Sequence, residues 1–254
     1  MLENHCKLIA SLAKKAALAK PTPFHTLLQV LEDGNKIQRI YTQNIDGLES
    51  KVGFDLLESD LSAMRCVPLH GSLFRLRCTV CSARRPLQYN FYDLESGNLP
   101  SCGICKATSM KRSNEGLRLR TSGHLRPDIV LYDEEVDGGD LIMQTVLSDA
   151  QDVSDGHILL VVGTSLQIPG IANIIKIIGS AVTRVQGDVI YLDHNPLVAS
   201  LANRFTICVQ GDCQGFAEAA IALLTEEKPK VSEEISYINA VEQRRDMRPL
   251  WDWL

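Results

Sequence analysis

The chain has 254 residues, 45% of them hydrophobic, and a formal net charge of −5. That is enough for one good core, or for a larger domain carrying a small second one. The acidic balance argues against a protein whose main task is gripping nucleic acid, and no stretch approaches the roughly 20 apolar residues that span a bilayer.

The first run, residues 2–19, places Leu8, Leu12, Ala16 and Ala19 at helical spacing, and Pro21 stops it. Pro23 suits a helix start, residues 24–31 are apolar enough to continue it, and Asp33-Gly34-Asn35 ends it. Residues 37–41 predict a short strand feeding a polar loop, 42–47. Residues 78–105 break the pattern, being rich in arginine, cysteine and turn formers. After Leu125-Arg126-Pro127 comes an apolar run, Ile129, Val130, Leu131 and Tyr132. The second half is more regular. Strands are predicted over 158–162, 189–192 and 205–209, with helices over 171–178 and 216–224. From Thr225 the chain turns charged, which predicts a poorly ordered tail over 226–254 whose Leu250-Trp251-Asp252-Trp253-Leu254 end suits docking. No internal repeat is present. Strands alternating with helices predict an α/β fold, a Rossmann-like parallel sheet with a small zinc-binding domain inserted.

The eight cysteines fall into two sets. Cys6, Cys66, Cys208 and Cys213 are scattered, with no signal peptide ahead of them, so a reduced, intracellular, soluble protein is expected. Cys78, Cys81, Cys102 and Cys105 form two Cys-x2-Cys pairs twenty residues apart. This spacing predicts one structural zinc ion in a closed four-sulfur site, with no position open to water. Between the pairs the candidate core residues are Leu87, Tyr89, Phe91, Tyr92 and Leu94, few enough for the metal to stand in for a core. Chance pairing of buried cysteines, or a redox pair, is the competing reading.

Two polar constellations follow predicted strands, and a third follows the apolar Val67-Pro68-Leu69. Thr42-Gln43-Asn44-Ile45-Asp46-Gly47 offers amides and a carboxylate where α/β sheets bind ligands; a capped polar turn is the plainer reading. His70-Gly71 suits a general base near neutral pH, although a lone histidine is often structural. Gly163-Thr164-Ser165 offers backbone N–H and hydroxyl donors, though such turns are common. Asp193, closing the next strand, is placed to accept from ribose hydroxyls or to cap a turn before Asn195-Pro196. No Gly-x-Gly-x-x-Gly occurs.

The order of these blocks carries more than any one of them. Thr-Gln-Asn-Ile-Asp, His-Gly, two Cys-x2-Cys pairs, Arg-Pro-x-Ile-Val and Val-Gly-Thr-Ser resemble the sirtuins over residues 21–224. The wording of 161–170, and the extra length between Asp46 and His70, is most similar to fungal nuclear members that deacetylate histones.

The resemblance implies an NAD-dependent protein lysine deacetylase, giving nicotinamide and an O-acyl-ADP-ribose. It implies His70 as general base and Asn44 as a second catalytic residue. Gln43, Asn44, Ile45 and Asp46 then hold the nicotinamide and its ribose. Gly163, Thr164, Ser165, Asp193, Asp212 and Cys213 meet the adenosine side. Ile129, Val130, Leu131 and Tyr132 lie beside an acyl-lysine peptide bound as an added strand. The implied partner is an acetylated protein, a histone tail, in the nucleus, with no membrane and no direct nucleic acid contact. Residues 1–72 with 120–225 are expected to form the catalytic domain, and 73–119 the zinc-binding one.

Two departures stand out. The family's opening strand and Gly-Ala-Gly-x-Ser turn do not precede Leu2, so weak NAD binding and poor catalysis are expected of the chain as written. Asp193 stands where the family usually has asparagine. Competing functions are a non-catalytic zinc-containing peptide-binding module, a mono-ADP-ribosyltransferase, and a zinc-ribbon nucleic acid binder using Arg75, Arg77, Arg84, Arg85, Lys111 and Arg112.

Overall fold

The computed structural model describes residues 2–56, 61–131, 134 and 138–225. The predicted tail and Tyr132 lie outside the described residues. The chain divides into two compact units. One comprises the described residues of Met1–Lys20, Ile40–Leu57 and Cys66–Asp137; the other those of Pro21–Arg39, Glu58–Arg65 and Gly138–Leu254.

In the first unit, α1 (Leu2–Leu18) is the expected helix, but it buries a different face. Cys6, Ile9, Ala10, Ala13 and Ala16 face inward, while Leu8 and Leu12 are 56% and 37% exposed. The buried stripe is mostly small, which lets the helix approach its neighbours closely, and close packing outweighs the larger apolar area of the two leucines. The ammonium of Lys51, in a 3-10 turn over Leu48–Val52, donates to the carbonyls of Ala16, Ala17 and Ala19 at 2.9, 2.8 and 2.6 Å. It satisfies carbonyls that the end of α1 leaves orphaned.

α1 shares a core with the zinc module. Leu73, Leu76, Leu87, Leu94, Leu125 and the cysteines pack with its inner face. Leu87 and Leu94 are buried as expected, but Tyr89 and Tyr92 are more than three-quarters exposed.

The same unit holds two sheets among the described residues. β1 (Ile40–Thr42) pairs in parallel with β2 (Cys66–Pro68). β3 (Gly71–Cys78) is flanked by two antiparallel neighbours, β4 (Arg84–Pro86) and β5 (Leu125–Ile129). Two helices, α3 (Phe91–Glu95) and α4 (Gly103–Asn114), complete the module. The sequence reading missed β3, β4 and α4, because arginines and cysteines interrupt the apolar periodicity on which it relied.

The arginines have a structural reason to be there. Asp128, buried on β5, meets Arg75 Nε at 2.6 Å, Arg84 Nε at 3.0 Å and Arg77 Nε at 3.5 Å. One carboxylate thus ties all three strands together, and three of the arginines that a nucleic acid binder would use are engaged from within.

In the second unit, α2 (Pro23–Asp33) starts at the predicted proline. Its N-terminus is held by Thr22, whose N–H donates to His25 Nδ1 at 3.2 Å, and by Gln214 Oε1, which accepts from the Phe24 N–H at 3.0 Å. The predicted strand at 37–41 begins only at Ile40. Gln38 and Arg39 are diverted instead to Asp149, whose backbone oxygen accepts from Gln38 Nε2 at 3.2 Å and whose carboxylate accepts from Arg39 Nε at 2.7 Å. Asp149 lies on α5 (Gly139–Gln151), a helix the sequence reading did not include.

Three parallel strands follow as expected: β6 (Leu159–Val162), β7 (Val189–Asp193) and β8 (Ile207–Gln210), in the order β6-β7-β8. The crossover from β6 to β7 is α6 (Pro169–Arg184), which buries Ile171, Ile174, Ile175, Ile178 and Val182. α7 (Cys213–Leu224) starts earlier than predicted, because the Asp212 carboxylate caps it by accepting from Gly215 N–H at 3.0 Å. Parallel strands, with α6 crossing from β6 to β7 and a 3-10 turn over Ala199–Arg204 leading to β8, make this the expected Rossmann-like α/β architecture.

Candidate functional site

The metal centre is built from two short turns. The first leaves the end of β3 and carries Cys78 and Cys81; the second opens α4 with Cys102 and Cys105. All four sulfurs lie within 4.8 Å of one another. Cys78 Sγ is 3.7 Å from Cys105 Sγ, and Cys81 Sγ is 3.6 Å from Cys102 Sγ. A tetrahedron with Zn–S near 2.3 Å has an edge of about 3.8 Å, so the donor set fits one zinc ion with no ligand position left over.

Burial opposes ionisation of Cys78, but N–H donors from Cys81 and Val80 and the neighbouring thiols bring it down to about 6. Those N–H groups reach its sulfur at 3.5 and 3.4 Å. Thiolate is the ligand form, and the backbone favours it at Cys78; at Cys81 and Cys105 the N–H donors of Ala83 and Gly123 are outweighed by burial and the neighbouring thiols, which raise both groups.

Gly123, which the sequence reading passed over, matters here. A Cβ at that position would stand 2.5 Å from Cys78 Sγ and 3.0 Å from Val80 Cβ. Its carbonyl also accepts from the Cys102 N–H at 2.9 Å. An isolated glycine in a polar stretch gives no signal of this; only the approach of the two chains does.

The polar loop after β1 and the histidine after β2 come together because the two strands are parallel neighbours, so that their carboxyl ends coincide. His70 Nδ1 lies 3.1 Å from the Gln43 carbonyl oxygen. The loop is braced within itself: Asn44 N–H donates to Thr42 Oγ1 at 3.1 Å and Leu48 N–H to Asp46 Oδ1 at 3.3 Å. Leu73 N–H donates to the Ile45 carbonyl at 2.9 Å, tying the loop to β3.

Gly71 is required where it stands. Its φ is +81°, and a Cβ there would fall 2.0 Å from the Asp128 carbonyl oxygen. Past β5, Val130 N–H donates to the His70 carbonyl at 3.1 Å. Leu131, 42% exposed, donates its N–H to Glu134 Oε2 at 3.3 Å. Glu134 is itself held by Arg126 Nη1 at 2.6 Å, and the hydrogen bonds from that guanidinium set its carboxyl down to about 2.

Within the second unit, Gly163-Thr164-Ser165 forms a turn at the carboxyl end of β6, beside Asp193 at the end of β7. Asp193 is buried, and its Oδ1 accepts from Asn195 N–H at 2.7 Å. Gly211 N–H donates to the Asp193 carbonyl at 3.0 Å. Asp212 and Cys213 follow, as cap and first residue of α7. The turn is strained: Leu166 has a φ of +59°, a conformation that costs a residue with a Cβ about 1 kcal/mol or more. Burial of its side chain to 7% exposure offsets this.

A family model described as the Sir2 family matches residues 3–170. Among curated proteins, the chain is 35% identical over 230 residues to the NAD-dependent histone deacetylase HST3 of Candida albicans, covering 85% of this chain and 47% of that one. It is 31% identical over 220 residues to the NAD-dependent protein deacetylase hst4 of Emericella nidulans, covering 84% and 36%. The chain therefore spans roughly half the length of these relatives, or less.

Among solved structures, Sir2Tm bound to a propionylated peptide superimposes with a TM-score of 0.61 at 21% identity, over 84% of this chain and 75% of that one. A Sir2–p53 peptide–NAD+ structure gives 0.60 at 22%, over 82% and 71%. These two establish the fold. With the family model covering well over half the sequence, the chain belongs to the Sir2 family, the sirtuins.

Proposed function

We propose that this protein removes acetyl and related acyl groups from lysine side chains of other proteins, consuming NAD and releasing nicotinamide and an O-acyl-ADP-ribose. Its substrates are histone tails and its place of action the nucleus, a reading supported by relatives named as histone deacetylases.

The observation that carries the proposal is the contact between His70 and Gln43. A carbonyl oxygen only accepts, so the 3.1 Å approach requires the proton of the neutral ring on Nδ1. Nε2 then holds the lone pair, the form a general base needs. His70 takes a proton from a ribose hydroxyl, and the Gln43 carbonyl holds the ring in orientation throughout.

The residues of each unit offer groups that suit one part of a dinucleotide. Gln43, Asn44, Ile45 and Asp46 would grip the nicotinamide carboxamide and its ribose, with Asn44 next to the reacting centre. Gly163, Thr164 and Ser165 would meet the adenosine side, together with Asp212 and Cys213. Asp193 uses one oxygen on Asn195, which leaves Oδ2 to accept from a ribose hydroxyl. When bound, NAD supplies a ribose–nicotinamide bond that breaks as the acyl oxygen attacks.

Ile129, Val130 and Leu131 would line the acyl-lysine peptide, which adds as a strand; Tyr132 continues that line in sequence. The four-cysteine centre holds its zinc as a structural ion, closed to substrate.

The test is direct. Incubated with NAD and an acetylated histone-tail peptide, the protein should release nicotinamide in step with deacetylated peptide. His70→Ala should abolish both while zinc content and melting temperature stay as they were. Turnover unaffected by that substitution would sink the proposal.

A further inference from the structure

We propose that Tyr191 is a positioning residue for the nucleotide turn: its hydroxyl holds the Thr164 carbonyl inward and so aims the Ser165 N–H outward at the bound cofactor. The inference rests on the reading of Gly163-Thr164-Ser165 given above.

Tyr191 lies in the middle of β7, 4% exposed, with Val189, Ile190 and Leu192 as buried neighbours along the strand. Its ring packs against Phe205 with centroids 5.2 Å apart. For packing alone a phenylalanine would serve. A buried phenol needs a partner for its hydroxyl, and here the O–H donates to the Thr164 carbonyl at 3.1 Å.

The turn needs such a tie. Gly163 and Leu166 both have positive φ, +61° and +59°, so a reversal of four residues is bounded by two left-handed positions. The Gly163 N–H is anchored on the Leu192 carbonyl at 2.9 Å, and the Leu166 N–H reaches Thr164 Oγ1 at 3.4 Å. Between those anchors, the Tyr191 hydroxyl sets the orientation of the 164–165 peptide.

The consequence follows from peptide geometry. None of the described peptide bonds is cis, and in a planar trans peptide the C=O and the following N–H point in opposite directions. With the Thr164 carbonyl drawn toward β7, the Ser165 N–H points away from the sheet, on an exposed residue. It becomes a fixed donor for a phosphate or ribose oxygen of a dinucleotide. Burial, and then the nearby Asp193, Cys208 and Cys213, push the phenol above its ordinary value, so the donor proton stays in place.

The experiment compares wild type, Tyr191→Phe and Phe205→Leu in the full chain, with ADP-ribose as the calorimetric probe. Tyr191→Phe keeps the ring and removes the donor. Its ADP-ribose affinity should fall roughly three- to tenfold, the yield of one lost hydrogen bond, with the Ser165 and Leu166 amides exchanging faster and the melting temperature nearly unmoved. Phe205→Leu should lower the melting temperature and keep the affinity. Wild-type binding with unaltered affinity in Tyr191→Phe overturns the inference, as does an affinity loss that follows melting temperature across both variants. Failure of the wild type itself to bind ADP-ribose would remove the nucleotide reading instead.

Discussion

His70 turns Nδ1 to the main-chain carbonyl of Gln43, and its own carbonyl accepts from the Val130 N–H. One residue is thereby tied both to the polar loop after β1 and to the chain leaving β5. Parallel pairing of β1 with β2 makes the first contact possible, and Gly71 makes the second.

Gly71 is therefore a sensitive position. Gly71→Ala must abandon a φ of +81° or press its Cβ into the Asp128 carbonyl. A loss of about 2 kcal/mol or more is expected in urea denaturation, with nicotinamide release falling further than stability because the histidine moves. A variant as stable and active as wild type would contradict this.

The metal centre predicts one zinc per chain by elemental analysis, and cooperative loss of the module on chelation or in Cys102→Ala. Gly123→Ala should weaken zinc retention at least tenfold against a competing chelator, since its Cβ would crowd Cys78 Sγ. Gly103→Ala, where a Cβ meets nothing within 4 Å, is the matched control and should retain zinc normally.

Asp128 should be the most costly carboxylate to remove. Asp128→Ala leaves three guanidiniums around a buried gap, a loss of about 3–5 kcal/mol by the behaviour of broken buried pairs. Arg84 is the most exposed of the three partners, so Arg84→Gln should cost clearly less. The double variant should cost less than the sum, because the two share one interaction.

Glu134 sets part of the acid response. Its carboxyl is held down to about 2 in the folded protein, against 4.5 for the free group. A depressed carboxylate contributes stability that is complete above its unfolded value and disappears as pH falls through its folded one. Between about pH 4.5 and 2 wild type should therefore lose this contribution, while Glu134→Gln should lack it at neutral pH and show a shallower acid limb. Equal slopes for the two proteins, from denaturation at pH 6, 4 and 3, would refute the assignment.

Some of this was legible early because it depends on local spacing. Two Cys-x2-Cys pairs announce a metal before any fold is known, and no sulfur–sulfur distance is needed to see it. The apolar runs at 158–162 and 189–192 stand out as buried strands, and Pro23 marks the start of α2. β3 and β4 stayed hidden for the opposite reason. Arg75, Arg77 and Arg84 look like surface charge until Asp128, more than forty residues further along the chain, is brought among them. The inward face of α1 was misjudged because hydrophobicity alone favours Leu8 and Leu12, whereas packing distance favours the alanines.

Residue type and spacing alone pointed to the family, the four zinc cysteines and the candidate histidine and amide residues, since those depend on which chemical groups recur in which order. Tertiary structure alone decided that His70 Nδ1 faces the Gln43 carbonyl, why Gly71 and Gly123 must lack a side chain, and that Tyr191 reaches the Thr164 carbonyl. Each of these is a contact of a few ångströms between segments far apart in the chain, and no local pattern encodes such an approach.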